Sequence, residues 1–337
     1  MTNIPNERFA DIYKGLTTLV DLPHEERPTR LAHYTSMDTL EKILRHKEIW
    51  MSHPFFMNDH QEMVFGLTTA FRIINDDSNN DIFNTHSGED FLERFKFNFN
   101  YFFSQKDQIH LLDYHIFCFS KYDTQGDGNG KLSMWRGYGD DGGGAAIVFS
   151  TEFIQLNAES PLTILEVKYQ DEAVRHNHIL QKIKESLDLG SHLRNSGEYT
   201  VEDIAKATAF HLCEYVFLYA LSSKALGFKE EEEWRVVYMP DRDNDGYLKG
   251  KIDCVINRGL IESKLKFPLK PLPSAPDDAW TFEMIIDRII LGPTQRHPVF
   301  PSLATDMAKR LVKCLELPAL AEKIYPSSIP YRSTGIR

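Results

Sequence analysis

The sequence predicts an α+β fold. Short apolar strand segments open and close the chain, a helical stretch fills its middle, and the order lacks the regular βα alternation of a parallel-sheet protein. Length and composition agree: 337 residues, 42% hydrophobic and 26% charged, are ample for a packed core and rule out a disordered tail or a fibre. A net charge of −11 disfavours adhesion of the whole surface to nucleic acid or anionic membrane and leaves only a local basic groove open. Cys118, Cys213, Cys254 and Cys314 are far apart with no CxxC pair, which points to buried thiols in a reducing compartment rather than a zinc site or a disulfide framework. The first residues carry Asn, Glu, Arg and Asp where a signal peptide needs an apolar run. The longest apolar stretch, 215–221, is far short of the roughly 20 residues that span a bilayer. A soluble, cytoplasmic protein is expected.

The elements follow in order. A helix over about 6–20 is closed by the polar, Pro-bearing stretch 23–28. Residues 30–35 read as a strand running into a helix capped by Thr35 or Ser36, in which Met37, Leu40, Ile43 and Leu44 share one face. A second strand, 49–52, leads to Asn58 and Asp59, a turn or cap opening the segment 61–74. In 91–103 six phenylalanines and Tyr101 crowd thirteen positions; length, and Glu93, Arg94 and Lys96, favour a bulky core helix over a strand or a base-stacking surface. Strands are expected at 115–120, 145–150 and 164–169, with a loop over 125–130 between the first two. Helices follow over 171–187 and 201–225. The last third returns to strands at 232–239, 250–255 and 288–291, then a helix over 303–315. No internal repeat and no convincing linker divides the chain: residues 1–29 form a helix and linker, and 30–337 one domain with helical insertions at about 59–112 and 171–225.

Familiar catalytic motifs are absent: there is no Walker-type loop, HExxH or GxSxG. The Gly-rich run 137–144 precedes a strand where a dinucleotide fingerprint follows one. Asp123, Asp127 and Asn129 resemble a calcium loop, but its twelfth position is Met134, so no metal site is expected. Three clusters carry more weight. His33 and Tyr34 end a strand just before a helix start, where side chains and free N–H groups converge; a buried, hydrogen-bonded histidine is the competing reading. Ser133, Trp135, Arg136 and Tyr138 put hydroxyl, aromatic and cationic groups on one or two helical turns, suited to a planar, sugar-bearing ligand; the competing reading is a packing helix with a structural Trp. Strand alternation puts Glu231, Glu233 and Arg235 on one face, a costly set to bury without purpose. A solvated acidic run explains 230–232 but not Glu233 and Arg235, embedded against Trp234 and Val236.

The ordered set His33-Tyr34-Thr35, Asn58-Asp59 with Glu62, Phe119-Ser120, Ser133-x-Trp135-x-x-Tyr138, Glu231-x-Glu233-Trp234-Arg235 and Ser328-Ile-Pro-Tyr331 resembles a widespread bacterial domain family of unassigned function. That family in turn resembles the ADP-ribosyltransferase fold, in the His-Tyr-Glu manner of diphtheria-toxin-like enzymes and of DarT-type toxins that modify nucleic acid. The resemblance implies a split, mostly antiparallel sheet with helical insertions, and NAD as substrate. His33 would hydrogen-bond a ribose hydroxyl, Tyr138 would stack on nicotinamide, with Tyr34 and Tyr122 as alternatives, and Glu233 would be the catalytic carboxylate. Tyr34, Thr35, Ser133, Trp135, Arg136, Glu231 and Arg235 would complete the NAD site, Arg235 either holding the pyrophosphate or pinning Glu231 and Glu233. The implied function is ADP-ribosyl transfer to a nucleic-acid or protein acceptor, in a toxin or anti-phage effector with an antitoxin or other regulatory partner. NAD hydrolysis and a noncatalytic binding module are the alternatives. A rim of Arg45, His46, Lys47, Arg94 and Lys96 beside the pocket would favour a nucleic-acid acceptor.

Overall fold

The computed structural model describes residues 28–57, 60–105, 113–122, 128–153, 160–197, 199–257, 259–271, 280–295 and 302–331. The expected helix over 6–20, the pair Asn58 and Asp59, the side chain of Glu62, and Asp123 and Asp127 lie outside the described residues. The order begins β1 (Arg30–Thr35), α1 (Met37–His46), β2 (Glu48–Ser52), α2 (His60–Asn75), α3 (Asn80–Ser87), α4 (Glu89–Gln105), β3 (His115–Lys121), α5 (Leu132–Gly137) and β4 (Ala145–Ser150). It continues β5 (Leu162–Glu166), β6 (Lys168–Gln170), α6 (Glu172–Ser196), α7 (Val201–Leu221), β7 (Ser223–Ala225) and β8 (Glu233–Tyr238). It closes with β9 (Ile252–Asn257), β10 (Leu260–Pro268), α8 (Phe282–Ile285), β11 (Ile286–Leu291), α9 (Leu303–Cys314) and β12 (Ile324–Pro326).

The first unit sets the geometry of the site. Ser36 caps α1, its Oγ accepting from the Thr39 amide at 3.2 Å, and Leu40, Ile43 and Leu44 bury the apolar stripe. Lys47, in the left-handed region at φ 53°, then turns the chain into β2. β1 pairs along its whole length with β4, from Arg30 against Ser150 to Thr35 against Ala145. On its other side it meets β3 only at Leu31 and Ala32, opposite Lys121 and Ser120. β2 meets the far end of β3, with Ser52 opposite Ile116. Two strands therefore share one edge of β3 and diverge between their contacts, and α1 joins them. The other edge of β3 is fully paired with β8, from His115 against Tyr238 to Ser120 against Glu233. β11 and β12 extend the sheet beyond β4, β10 and β9 beyond β2, and β5 beyond β8, ten strands among the described residues. Among the described residues only the β11–β12 pair within it is parallel. The mixed, mostly antiparallel sheet is thus forked at β1 and β2.

Each face of the sheet has its own packing. Leu31, Phe117, Phe119, Ile147, Phe149 and Trp234 form a core with α1, α8 and α9. On the opposite face Ile116, Leu165 and Val237 meet Phe217, Leu218 and Leu221 of α7. Helices α2, α3, α4, α6 and α7 enclose a further apolar core. In α4 the spacing of Phe91, Phe95, Phe99 and Phe102, all buried, follows the helical period, while Phe97 points out; the phenylalanine run is core, as expected.

Several elements differ from the sequence expectation. The helix expected over 201–225 stops at Leu221, because residues 223–225 pair in parallel with β6 instead. The strand expected over 164–169 is two strands in different sheets, broken where the Val167 amide donates to the Glu233 carbonyl. β10 was not anticipated, although Ile261, Ser263, Leu265 and Phe267 alternate with Glu262, Lys264 and Lys266 in the strand period. Of the four cysteines, all free, only Cys213 is buried; Cys254 and Cys314 are exposed and Cys118 is half-buried, which corrects the expectation of four buried thiols. No helix among the described residues is long and apolar enough to cross a membrane.

Candidate functional site

Where β1 and β2 diverge, the edge of β3 loses its ladder partner. Its Cys118 carbonyl is bonded instead by His33 Nδ1 at 3.0 Å, and the His33 ring lies against Phe117 at 4.2 Å between centroids. A carbonyl only accepts, so Nδ1 carries the proton and Nε2 keeps its lone pair. Burial presses the His33 pKa down to about 4, against the opposing pull of the Cys118 carbonyl, so the ring is neutral at neutral pH.

A cavity of about 750 Å³ occupies the fork. Thr39, Lys42, Ile43 and His46 of α1 line it where the strands part. One end is walled by Tyr138, Lys224, Glu231, Glu233 and Arg235, and the other by Glu48, Trp50, Ser52, Lys264 and the tip of β9. His33, Tyr138, Glu231, Glu233 and Arg235, drawn from three separated stretches of sequence, thus border one space.

The charged end is tightly built. Glu233, 6% exposed, receives Arg235 Nε on Oε1 at 2.8 Å and Arg235 Nη2 on Oε2 at 3.0 Å. Lys224, 1% exposed, donates to Glu233 Oε2 at 3.2 Å and to Glu231 Oε2 at 2.7 Å. The other oxygen of Glu231 accepts from the Tyr138 hydroxyl at 2.9 Å. Burial alone would raise the Glu233 pKa; the adjacent Arg235 guanidinium, with Lys224, overrides it and holds the carboxyl at about 2. Burial, reinforced by Glu231, pushes the Tyr138 phenol up, so it remains a donor.

Backbone turns place these groups. Glu231 is not in the strand, contrary to the alternation read from sequence: it ends a 3-10 turn, and Glu232 takes a left-handed conformation at φ 41° before β8 begins. The turn is fastened to β3 by the Ser120 hydroxyl, which donates to the Glu231 carbonyl at 2.6 Å. The Glu233 amide donates to the Tyr169 hydroxyl at 2.7 Å. Lys224 was not singled out by sequence; the only signal was a lysine just after the Ser222-Ser223 pair that ends an apolar helix.

The remaining residues of the expected site have other partners. Tyr34 also lines the cavity, but its hydroxyl accepts from the Lys131 amide at 2.9 Å, and its ring meets Trp135 edge-on at 4.9 Å. Trp135 is fully enclosed and donates to the Asn129 carbonyl at 3.0 Å, which favours the structural-Trp reading. Arg136 is exposed and lies over the Tyr331 ring at 5.2 Å. Thr35 and Ser133 are not among the lining residues. The C-terminal Ser328-Ile-Pro-Tyr331 acts from outside the cavity: Ser328 N donates to Asn129 Oδ1 at 2.6 Å and Tyr331 bonds Asp141, clamping the segment that carries Tyr138. Tyr122, the other alternative for stacking, donates to the Gly128 carbonyl at 3.1 Å. Of the expected basic rim only His46 lines the cavity; Arg45 pairs with Glu41, while Arg94 and Lys96 sit on α4, bonded to Asp90, Glu202 and Asn80. No group of three or more metal-ligating side chains occurs among the described residues.

Residues 134–236 match a family described as proteins of unknown function, DUF2971. The matched stretch takes in Tyr138, Lys224, Glu231, Glu233 and Arg235 but not β1 with His33. No curated protein and no solved structure matches the chain.

Proposed function

We propose that the fork binds NAD and that the protein cleaves its nicotinamide–ribose bond, passing the ADP-ribosyl group to an acceptor. One observation carries this reading: His33, Tyr138 and the Glu231–Glu233 pair, singled out by a resemblance to ADP-ribosyltransferases, border a single cavity in the gap of a forked sheet. A volume of about 750 Å³ is within the range of cofactor-sized sites, roughly 300–1,000 Å³.

The chemistry asks for few groups. When the C1′–N bond breaks, nicotinamide leaves with the electron pair and positive charge develops on the ribosyl ring, as in glycoside hydrolysis. A fixed carboxylate stabilises that charge, and the same carboxylate takes the proton of the acceptor hydroxyl or amine as it bonds to C1′. Glu231 is the better placed. Both oxygens of Glu233 are engaged by Arg235 and Lys224, whereas Glu231 holds one bond from Lys224 and one from the adjustable Tyr138 hydroxyl. Glu233 then serves to fix the cations. His33 Nε2, with its free lone pair, accepts from a ribose hydroxyl.

The closed pairing of Glu233 with Arg235 also favours a second reading, a noncatalytic module that binds a ligand in the same fork. The separating experiment is nicotinamide release from NAD by wild type, Glu231→Gln and Glu233→Gln, with and without RNA, DNA or cell lysate. Release that disappears in Glu231→Gln supports the enzyme, and dependence on one addition names the acceptor class. NAD binding without release under any condition supports the module.

A further inference from the structure

The far end of the cavity has no role in the chemistry just described, yet it is furnished. Trp50 lines it while remaining 41% exposed. Its indole is held in place by a bond from Nε1 to Glu48 Oε1 at 2.9 Å, and the Lys266 ammonium stands over the ring at 5.2 Å. Lys266 and Lys264 are already paired, with Asp253 and Glu262. Lys42, on the exposed side of α1, lines the same cavity and has no ion-pair partner among the described residues. A fixed aromatic face and an ammonium without an ion-pair partner among the described residues, lining one cavity, are the chemistry that takes a nucleobase and its phosphate.

Position adds to chemistry. From β8, which carries Glu233, to β2, which carries Trp50, the sheet passes through β3, so the two ends stand two inter-strand spacings apart across the sheet, about 10 Å. A ligand touching both has to be long and to carry distinct ends, as two nucleotides joined through a pyrophosphate are.

We propose that the Trp50 end of the fork, with Lys42 of α1, binds the AMP half of the dinucleotide, Trp50 stacking on the adenine and Lys42 meeting the pyrophosphate. The assignment rests on the reading of the fork as an NAD site and gives that site its polarity: nicotinamide at Tyr138, adenine at Trp50.

The test titrates AMP, ADP-ribose and nicotinamide mononucleotide into the full chain and into Trp50→Leu and Lys42→Met, following tryptophan fluorescence and heat. AMP and ADP-ribose are expected to quench a component of the fluorescence that is missing in Trp50→Leu. Each substitution is expected to weaken ADP-ribose roughly tenfold, and Trp50→Leu to leave nicotinamide mononucleotide, which has no adenine, unchanged. Equal ADP-ribose affinity in wild type and both variants overturns the proposal, and does so even when nicotinamide release persists, which leaves the catalytic reading standing. Quenching by AMP that depends on Trp50, with no nicotinamide release, keeps the subsite and removes the catalytic reading.

Discussion

His33 Nδ1 donates to the Cys118 carbonyl at 3.0 Å across the gap where β1 leaves β3. The bond replaces a missing ladder hydrogen bond and fixes the imidazole tautomer at the same time. One side chain therefore closes the inner end of the fork and presents a lone pair to the cavity.

The acid stability of the protein follows from this bond and its neighbours. His33 and His115 are both pressed down to about 4 by burial, from an ordinary 6.5. The unfolded chain takes up those protons first, so the stability gained from neutral rings is present above pH 6.5 and is lost between 6.5 and 4. Glu233, held at about 2 against an ordinary 4.5, adds a loss in the same direction between pH 4.5 and 2. Urea unfolding is expected to show stability falling from pH 6.5 downward, with a shallower fall to pH 4 in His33→Gln. A wild type equally stable at pH 7 and pH 5 contradicts this.

Removing the guanidinium from the acidic end exposes its electrostatics. Arg235→Met leaves Glu233 buried with Lys224 as its remaining cation and the Leu221 carbonyl without its donor from Nη1. A loss of about 3–5 kcal/mol in unfolding free energy is expected, partly restored in Arg235→Met with Glu233→Gln.

Trp135 and Tyr138, one helical turn apart, separate structure from chemistry. Trp135→Phe removes one of the two donors, Trp135 Nε1 and the Ser327 hydroxyl, on the buried Asn129 carbonyl and thins the packing around it, and is expected to cost about 1–3 kcal/mol of stability. Tyr138→Phe removes only the hydroxyl on Glu231, so nicotinamide release is expected to fall at least tenfold with stability within about 1 kcal/mol of wild type. Thermal melts and the release assay on both variants check the pair.

Gly144 sits where the start of β4 passes the end of β1, and a Cβ there would lie 2.0 Å from the Thr35 carbonyl oxygen. Backbone cannot yield as a side-chain tip does, so Gly144→Ala is expected to cost about 3 kcal/mol or more and to lower the soluble yield. A melting temperature equal to that of wild type counts against the β1–β4 register.

What the sequence reveals is mostly local. Ser36 as a cap, the Leu40–Ile43–Leu44 stripe and the apolar runs of β3 and β4 declare themselves within a few residues, and so do the β1–α1–β2 joint and the mixed α+β class. The fork does not, because it depends on which part of β3 each neighbour pairs with, a choice made by tertiary packing. Lys224 was hidden for the same reason: its strand exists only because β6 lies alongside. Same-face placement of Glu233 and Arg235 was legible from strand alternation, whereas their closure upon each other follows from burial. Trp135 shares a motif with Tyr138, yet it lies outside the cavity and serves the packing that holds Tyr138 in place.

The measurement that tests the fork most directly is calorimetric titration of NAD into wild type, His33→Ala and Tyr138→Ala, with melting curves to confirm that each variant is folded. The expected result is one NAD per wild-type chain, with affinity reduced at least tenfold in both variants. No NAD binding to wild type, or binding that neither substitution changes, contradicts the assignment of this cavity to the dinucleotide.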